Sequence, residues 1–352
     1  MAEKMKAAVF EKVGVIKVQE VPIPEINEDE VLIQVKYTGI CGTDWSIYNG
    51  WYSADKLPMI PGHEFSGVIA KVGSKNRGLK EGDRVTADIN ISCGTCYYCM
   101  HGDKLLCDSF TQLGIHTNGA FAEFVKAPAA QVHKLPETMS FEEGAFIEPV
   151  SCVIHAAKAL DARLGSSFAV IGCGLGTLHA RMAVLRACAP VIIFGRNRKR
   201  LEIARQMGAD YVFHMDDVDD PVAEVMKITG GRGVDYAIEA VGKVETYEQA
   251  FAMLRRGGKL SAFGIAGEHE EMKIRPYEFV LGEKKITGSC AGVGQDWPDA
   301  ITLISNGRID PKPLFSMKVP LEDLDWALHE LRRDPSLFKV FVSPEMTKRE
   351  LL

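Results

Sequence analysis

The sequence predicts an α/β protein of two parts, a mostly-β region followed by a parallel sheet with helices on both faces. Its 352 residues suggest about two domains, at roughly 100–200 residues per domain. Up to about residue 150, short β-branched stretches are bounded by Gly and Pro. Beyond that point, strand-like runs alternate with helical stretches, which is the pattern of a parallel sheet.

The first part contains three short strand candidates: Val31–Tyr37, Gly67–Val72 and Arg84–Ala87. Each is bounded by residues typical of turns, such as Glu81-Gly-Asp before the third. We therefore expect a mostly-β domain over residues 1–151.

The second part begins with the apolar run Phe168–Ile171, a glycine-rich turn and a helical stretch over 175–187. A second helix is expected over 199–207. The later strand candidates are 191–194, 211–213, 235–240, 259–263 and 285–287. We expect this domain to span 152–289. After about 290 the alternation ends, and we expect 290–352 to return to the first domain.

The overall charge argues against several classes of partner. The formal net charge is −6 and the pI about 5.9, so no basic field favours nucleic acid or anionic lipid. The N-terminus has no apolar signal region, and no apolar run approaches the roughly 18–20 residues that span a bilayer. We expect a cytoplasmic protein without a membrane partner.

Four of the nine cysteines form a cluster with metal-ligand spacing: Cys93, Cys96, Cys99 and Cys107, a C-x2-C-x2-C-x7-C pattern. Cytoplasmic thiols stay reduced, so clustered cysteines favour a metal over disulfides. Four thiolates complete a tetrahedral zinc site with no position left for water. The alternative is a loop of reduced thiols, but cysteine is otherwise mostly a buried residue.

Three further segments contain metal-ligand residue types: Cys41-Gly-Thr43-Asp44, Gly62-His63-Glu64 and Glu148-Pro149. Taken singly, each has an ordinary structural interpretation. A lone His is more often a hydrogen-bonded structural residue, and a lone Cys is usually part of a core. The residue pattern alone does not show that these segments meet.

Together, and in this order with the four-cysteine lobe and the later glycine-rich turn, these motifs resemble the zinc-containing medium-chain alcohol dehydrogenase family. Within it the chain is most similar to the polyol (sorbitol-type) and threonine dehydrogenase branch, over essentially its whole length. The resemblance implies a GroES-like catalytic domain, a Rossmann domain and a catalytic zinc in the cleft between them.

The resemblance also implies a ligand set for this catalytic zinc. Cys41 and His63 would be ligands, and Glu64 a ligand or an immediate neighbour of one. Glu148 stands where the polyol branch has a glutamate ligand. Cys152, four residues further on, is a less favoured rival. An open coordination position is typical of a catalytic zinc.

The resemblance further implies a proton relay. Thr43 would hydrogen-bond the substrate oxygen and pass its proton outward. Many relatives have a histidine three residues later, but this chain has Ser46. Because a serine cannot act as a base near neutral pH, we expect a relay through water, cofactor ribose and Glu148, or no relay. Ser46 is equally well interpreted as a surface residue.

The glycine-rich turn has the context of a dinucleotide-binding motif, since it follows a strand and opens a helix. It comprises Gly172, Gly174, Leu175, Gly176 and Thr177. Gly172 permits the tight turn, Gly174 lets the backbone approach a pyrophosphate, and the helix N-terminus offers free N–H groups. Thr177 replaces the third glycine, so we expect slightly altered helix–strand packing. The alternative is a purely structural turn.

The cofactor predicted from the next strand end is NADP(H) rather than NAD(H). An NAD enzyme places an acid there for the ribose 2′-hydroxyl, but this chain has Gly195-Arg196, followed by Arg198 and Arg200. Arginine forms charge-assisted bonds with a 2′-phosphate. The alternative is a solvated basic helix start, which is plausible for Arg198 and Lys199.

Further cofactor contacts are expected at the carboxyl ends of the later strands, where open α/β sheets bind ligands. These positions are Ala240, Val241, Phe263, Gly264, Ile265, Ser289, Cys290 and Ala291. Lys339 stands where relatives have a basic residue near the phosphates, and an exposed strand-edge lysine is nearly as plausible.

The function predicted from these features is hydride transfer between NADP(H) and a secondary alcohol or ketone of a polyol, cyclitol or sugar. A threonine-type amino-alcohol dehydrogenase is the first alternative. A non-catalytic cofactor-binding protein is disfavoured because every expected site residue is present. The resemblance implies a homo-oligomer, a dimer or tetramer.

Overall fold

The computed structural model describes residues 3–352, which divide into two units. Unit 1 runs to Ser151 and resumes at Val293–Leu352, and unit 2 is Cys152–Gly292. The C-terminal segment rejoins the first unit at Val293, against an expected boundary at residue 290. No helix of the described chain is both long and apolar enough to cross a membrane.

Most of the described strands are short. In chain order they are β1 (Lys4–Lys12), β2 (Val15–Pro22), β3 (Glu30–Gly39), β4 (Glu64–Val72), β5 (Arg84–Ala87), β6 (Asn90–Ile91), β7 (Thr111–Gln112), β8 (Phe124–Pro128), β9 (Val132–Lys134), β10 (Phe168–Ile171), β11 (Val191–Gly195), β12 (Tyr211–His214), β13 (Val234–Glu239), β14 (Leu254–Ala262), β15 (Lys285–Gly288), β16 (Phe315–Pro320), β17 (Lys339–Ser343) and β18 (Glu350–Leu351).

The α-helices alternate with strands chiefly in unit 2. In chain order they are α1 (Gly42–Tyr48), α2 (Tyr97–Met100), α3 (Phe141–Ala145), α4 (Ile147–Leu160), α5 (Gly176–Leu185), α6 (Arg198–Gln206), α7 (Pro221–Ile228), α8 (Val244–Ala252), α9 (Pro276–Leu281), α10 (Asp296–Ser305) and α11 (Leu324–Arg333).

Unit 1 is mostly β, as expected. Its main sheet has the order β18-β16-β17-β3-β4-β5-β9, with β8 also paired to β3. The returning strand β17 pairs antiparallel with β3, and β3 with β4. The C-terminal segment therefore contributes directly to the sheet that holds the first motifs.

Unit 2 contains a six-stranded parallel sheet in the order β12-β11-β10-β13-β14-β15. Strands β10 and β11 are apolar and buried at every position because both faces of the sheet are covered. Val170 and Ile193 belong to one buried cluster, while Ala169 and Ile192 belong to the cluster on the other face. The predicted Rossmann domain with helices on both faces is confirmed.

The sequence analysis did not identify several elements. These are the β1–β2 hairpin and the helices α4, α7 and α8. Helix α7 has a recognisable start, since Asp220 accepts hydrogen bonds from the N–H groups of Val222 and Ala223 before Pro221 at its first position. Helix α4 runs across the expected boundary between residues 151 and 152.

Candidate active site

The first part of the candidate site lies at the start of helix α1. Cys41 immediately precedes this helix, and its backbone N–H donates to the Asp44 carboxylate at 2.8 Å. Thr43, in the first turn, has its hydroxyl 3.7 Å from the Cys41 sulfur. The short helix thus fixes a thiol and a hydroxyl side by side.

The structure brings three predicted metal ligands together. Donor atoms of Cys41, His63 and Glu64 all lie within 4.8 Å of one another. His63 and Glu64 are buried, with 3% and 2% exposure, and Glu64 opens strand β4, opposite Gly39 of β3. A thiol, an imidazole and a carboxylate are the three donor types that zinc accepts from proteins.

The imidazole of His63 is oriented by a carboxylate that sequence reasoning did not assign a role. Asp44 is fully buried, and its Oδ1 lies 3.5 Å from His63 Nδ1. Neither atom has a hydrogen-bond partner among the described residues. Metal-binding histidines commonly direct their second nitrogen at such a carboxylate, which leaves Nε2 for a metal.

The electrostatics of this pocket favour a bound cation. Burial lowers the pKa of His63, but the Asp44 carboxylate and the Cys41 thiol raise it well above its ordinary value. A positive charge in this pocket is therefore favourable beside the buried Asp44 carboxylate. A divalent cation would supply that charge, so the residues present fit a zinc ion.

Lys339 is not the exposed strand-edge lysine that the sequence analysis allowed as an alternative. It is 5% exposed at the start of β17, and its ammonium donates to the Glu64 carboxylate and, at 3.0 Å, to the Ile40 carbonyl. Burial lowers the pKa of Lys339, but Glu64 and Cys41 raise it overall. Both groups that its ammonium contacts, the Glu64 carboxylate and the Ile40 carbonyl, thus belong to unit 1.

Glu148 is buried in the first turn of helix α4, with 7% exposure. It is not among the three residues whose donor atoms cluster within 4.8 Å, although its charge is close enough to raise the pKa of Lys339. Glu148 therefore borders the cluster. The expected rival, Cys152, is the first residue of unit 2.

Ser46 uses its hydroxyl within its own helix, donating to the Gly42 carbonyl at 3.2 Å. This bond occupies the single proton of the side chain. Ser46 offers no basic group to replace the histidine of many relatives.

The four-cysteine lobe forms a second donor cluster. The sulfurs of Cys93, Cys96, Cys99 and Cys107 lie within 4.8 Å of one another. Backbone N–H groups point at two of them: Cys93 N donates to the Cys107 sulfur at 3.2 Å, and Cys96 N to the Cys93 sulfur at 3.4 Å. Such bonds favour thiolates, the form that binds zinc.

The glycine-rich turn of unit 2 lies where the sequence analysis placed it. It follows β10 and leads into α5, and Gly172 has a φ of +110°, which favours glycine. Thr177 is fully buried, and its hydroxyl donates to the Cys173 carbonyl at 3.2 Å. The residue that replaces the third glycine therefore ties the turn to the first turn of the helix.

The arginines after β11 have different surroundings. Arg198 forms a bidentate pair with Asp217, with both distances 2.8 Å. Arg196 is exposed and has no ion pair within residues 3–352, the part of the chain described here. Arg200 is partly buried, and burial lowers its pKa. Arg196 thus differs from Arg198, whose charge is neutralised by Asp217.

The other predicted cofactor positions share one edge of the unit 2 sheet, because they follow parallel strands. Ala240 and Val241 follow β13, Phe263–Ile265 follow β14, and 289–291 follow β15. Val241 and Ile265 are 44% and 70% exposed. The buried Ser289 hydroxyl has no hydrogen-bond partner among the described residues. This edge has the apolar surface and free polar groups of a ligand site.

Comparison with known proteins now decides the family. An alcohol dehydrogenase GroES-like domain model matches residues 27–137, and a zinc-binding dehydrogenase model matches 174–306. Sorbitol dehydrogenase of Bacillus subtilis is 34% identical over 349 residues, covering 97% of this chain and 98% of that protein. The chain belongs to the zinc-binding alcohol dehydrogenase family.

Other members of this alcohol dehydrogenase family show the same relationship. L-threonine 3-dehydrogenase of Bacillus velezensis is 33% identical over 351 residues, covering 98% of this chain and all of that protein. A zinc-binding dehydrogenase of Sinorhizobium meliloti, solved bound to NADP, has a TM-score of 0.89 at 31% identity and covers 97% of this chain and 100% of that one. The predicted family, with its polyol and threonine branch, is confirmed.

This alcohol dehydrogenase is therefore an oxidoreductase that uses zinc and a nicotinamide cofactor. Sequence reasoning missed one organising residue in its cofactor unit. Glu239, at the end of β13, is fully buried and accepts N–H bonds from Val241 and Gly242. Its carbonyl accepts from Phe263 and Gly264. In the sequence, this role is indicated only by an acidic residue at the end of a strand candidate.

Proposed function

We propose that this enzyme transfers hydride between NADP(H) and a secondary alcohol or ketone of a polyol, cyclitol or sugar. The observation that carries the proposal is the buried cluster of Cys41, His63 and Glu64 beside the Thr43 hydroxyl. Cys41, His63 and Glu64 would hold the catalytic zinc, with Glu148 as the further candidate ligand. When bound, zinc supplies the Lewis acidity that makes a substrate hydroxyl easier to deprotonate.

The chain's own residues then orient the substrate and move its proton. Thr43 would hydrogen-bond the substrate oxygen, since a hydroxyl can donate and accept at once. Asp44 would hold the ring of His63 through Nδ1, 3.5 Å away. Ser46 is not assigned to the relay, because its proton is used by the Gly42 carbonyl. The four-cysteine lobe would hold a second, structural zinc.

A substrate panel tests the substrate class directly. It should contain polyols, inositols, sugars, L-threonine and simple alcohols, each with NADP and with NAD. We expect the highest kcat/KM on a polyhydroxylated substrate. Turnover of short monoalcohols alone would show that the polyol assignment is wrong.

L-Threonine is the second candidate substrate class, because a threonine dehydrogenase matches the chain over 351 residues at 33% identity. An amino acid carries a carboxylate and an ammonium that a polyol lacks, so its binding should weaken as salt rises. A threonine KM that increases with ionic strength, together with low activity on polyols, would favour this alternative.

The preference for NADP rests on Arg196. Solved members of the family carry either NADP or NADH, so membership alone does not decide the cofactor. Gly195 offers no carboxylate to a ribose 2′-hydroxyl. Arg196 is exposed and without an acidic partner among the described residues. A 2′-phosphate would provide that partner through charge-assisted bonds.

Paired variants test this cofactor assignment. Arg196→Ala should lower kcat/KM for NADP by about 10–100-fold, as expected for a lost charged hydrogen bond, and leave NAD little changed. Arg198→Ala is the matched control, because Arg198 is held by Asp217. Equal use of the two cofactors by the unmodified enzyme, or a preference for NAD, would overturn the assignment.

Self-association through the edge of the unit 2 sheet is the proposed oligomeric contact. Strand β15 is the last of that sheet, and the preceding helix α9 exposes Tyr277, Val280 and Leu281 at 76%, 66% and 62%. Contiguous exposed apolar residues mark interaction surfaces. Val280→Asp should lower the mass measured by light scattering, whereas the control Leu164→Asp, at a residue 82% exposed, should not.

A further inference from the structure

A cleft of unit 2 lies at the end of the sheet opposite to the predicted cofactor positions. It is lined by Leu254, Arg255 and Arg256 at the start of strand β14, whereas the cofactor positions follow the ends of β13, β14 and β15. A strand rises about 3.3 Å per residue, so the length of β14 separates the two ends by roughly 25 Å. The cleft is therefore distinct from the predicted cofactor site.

The charged side chains that line this cleft are mostly cationic. Among the described residues they are Arg232, Arg255, Arg256, Lys284 and a single acid, Glu278. Glu278 is itself paired with a further cation, Arg275, at 3.2 Å. The whole chain has a formal net charge of −6, so these cations run against the overall charge. They create a local positive field at the cleft.

Two arginines of the cleft are held by a shared carboxylate. Asp235 accepts a hydrogen bond from Arg255 Nε at 2.6 Å, and Arg232 lies 3.9 Å from the other oxygen of Asp235. Asp235 also accepts from the N–H and the hydroxyl of Ser167, just before β10, at 2.8 and 2.7 Å. Arg255 is thus fixed in place before any ligand arrives, and one carboxylate serves two guanidinium groups.

The other two cations of the cleft have no acidic partner. Arg256 is exposed and forms no ion pair within the described chain. The ammonium of Lys284 donates to the Phe251 carbonyl at 3.1 Å and lies 4.8 Å from the centre of the Phe251 ring. Burial lowers the pKa of Lys284, and the charge of Glu278 opposes this only in part. An anion in the cleft would offset both charges.

We propose that this cleft is a second ligand site, which binds a small organic phosphate with two or more negative charges. Its volume of about 300 Å³ is that of a small-molecule site. Guanidinium groups match the oxygens of a phosphate through paired, charge-assisted hydrogen bonds. The exposed ring of Tyr277 offers an aromatic wall to the organic part of the ligand.

Titration calorimetry with phenyl phosphate tests the proposal. Saturating NADP occupies the cofactor site, and at pH 8 the phosphate carries two charges, because its second pKa is about 6. We expect one phenyl phosphate per chain, bound more tightly than phthalate, a dicarboxylate of similar size. Arg256→Ala should weaken this binding by about 10-fold or more, as for a lost charged hydrogen bond. Arg256 has no ion pair to lose, so this variant should fold normally.

Arg196→Ala is the matched control, because it removes an exposed arginine at the opposite end of the sheet, after β11. It should leave the affinity for phenyl phosphate unchanged. Loss of binding in Arg196→Ala would place the anion at the cofactor end and overturn the proposal. Unchanged affinity in Arg256→Ala would overturn it as well, and equal affinity for phthalate would overturn the assignment of a phosphate.

Helix α9 carries Tyr277 and is also the proposed contact between copies, so the oligomeric state needs its own control. Val280 does not line the cleft, and Val280→Asp should bind phenyl phosphate as tightly as the unmodified protein does. Binding by Val280→Asp alone would show that the assembled protein covers the cleft, and the proposed ligand site would then be wrong.

Discussion

The two donor clusters of unit 1 are built in opposite ways. The four-cysteine lobe takes all its sulfurs from one stretch of 15 residues, Cys93 to Cys107, and one of them, Cys93, is exposed. The cluster of Cys41, His63 and Glu64 takes its groups from separate segments joined by the sheet, and two of the three are buried.

This difference supports the proposal that the lobe stabilises a loop and that the buried cluster performs the chemistry. The lobe is surrounded by backbone N–H donors and supplies a complete tetrahedral set of sulfurs. The buried cluster contains a single sulfur, that of Cys41. Its neighbours Asp44, Glu148 and Lys339 are charged residues that supply no further sulfur. Damage to the first should appear as instability, and damage to the second as lost binding and activity.

The largest expected effect is at the buried cluster. Cys41→Ser should abolish turnover and reduce the bound metal by one ion per chain, while circular dichroism and the melting temperature stay near those of the unmodified enzyme. Cys152→Ser is the matched control, because Cys152 is the rival ligand candidate. Loss of metal from Cys152→Ser alone would reverse the assignment.

Asp44→Asn should have the next largest effect. Removing the carboxylate that faces His63 Nδ1 should weaken metal binding at the buried cluster by about 10–100-fold, as for other groups that orient a metal-binding histidine. Competition with a chromophoric chelator measures this change. Metal affinity equal to that of the unmodified enzyme would show that Asp44 does not orient the ring.

Cys99→Ser should chiefly harm stability, because a structural zinc contributes folding free energy. A loss of about 2 kcal/mol would lower the melting temperature by roughly 4–8 °C, with kcat per folded molecule largely retained. Cys188→Ser, at a buried cysteine of unit 2, serves as the comparison. An unchanged melting temperature in Cys99→Ser would count against a filled lobe.

The smallest effect concerns the thiols of the metal-free lobe. Hydrogen bonds from the Thr95 backbone, the Thr95 hydroxyl and the Cys96 backbone lower the pKa of Cys93 to about 6, whereas burial raises the pKa of Cys99 to about 11. After chelation, alkylation of Cys93 should increase as the pH rises through about 6 and level off above it. Cys99 should stay slow to well above neutral pH. Mass spectrometry of the alkylated peptides distinguishes Cys93 from Cys99. Equal alkylation rates at the two thiols would contradict the difference in their pKa values.

The comparison also explains what the sequence could and could not predict. The lobe was predictable from spacing because its ligands are neighbours in the chain. The alternating strands and helices of unit 2 were predictable because their apolar runs are regular. The helix α8 and the start of β14, at Leu254–Gly258, were missed because polar residues and glycines interrupt those patterns.

The buried cluster could be predicted only through family resemblance, since nothing local links Cys41 to His63. Lys339 shows the same limit more sharply. The sequence alone predicts an exposed strand-edge lysine or a phosphate contact at this position. In the structure, pairing of β17 with β3 brings Lys339 beside Glu64. Roles that arise from strands distant in sequence require the tertiary structure.

The carboxylate of Glu239 has a consequence for the thermodynamics of cofactor binding. It and its own carbonyl fix the chain after β13 and after β14 through four backbone N–H groups, those of Val241, Gly242, Phe263 and Gly264. Both segments are thus ordered before a dinucleotide arrives, and preorganised segments lose little conformational entropy on binding. In Glu239→Gln, calorimetry should show a more unfavourable binding entropy, because the ligand itself would then have to order the segment after β13.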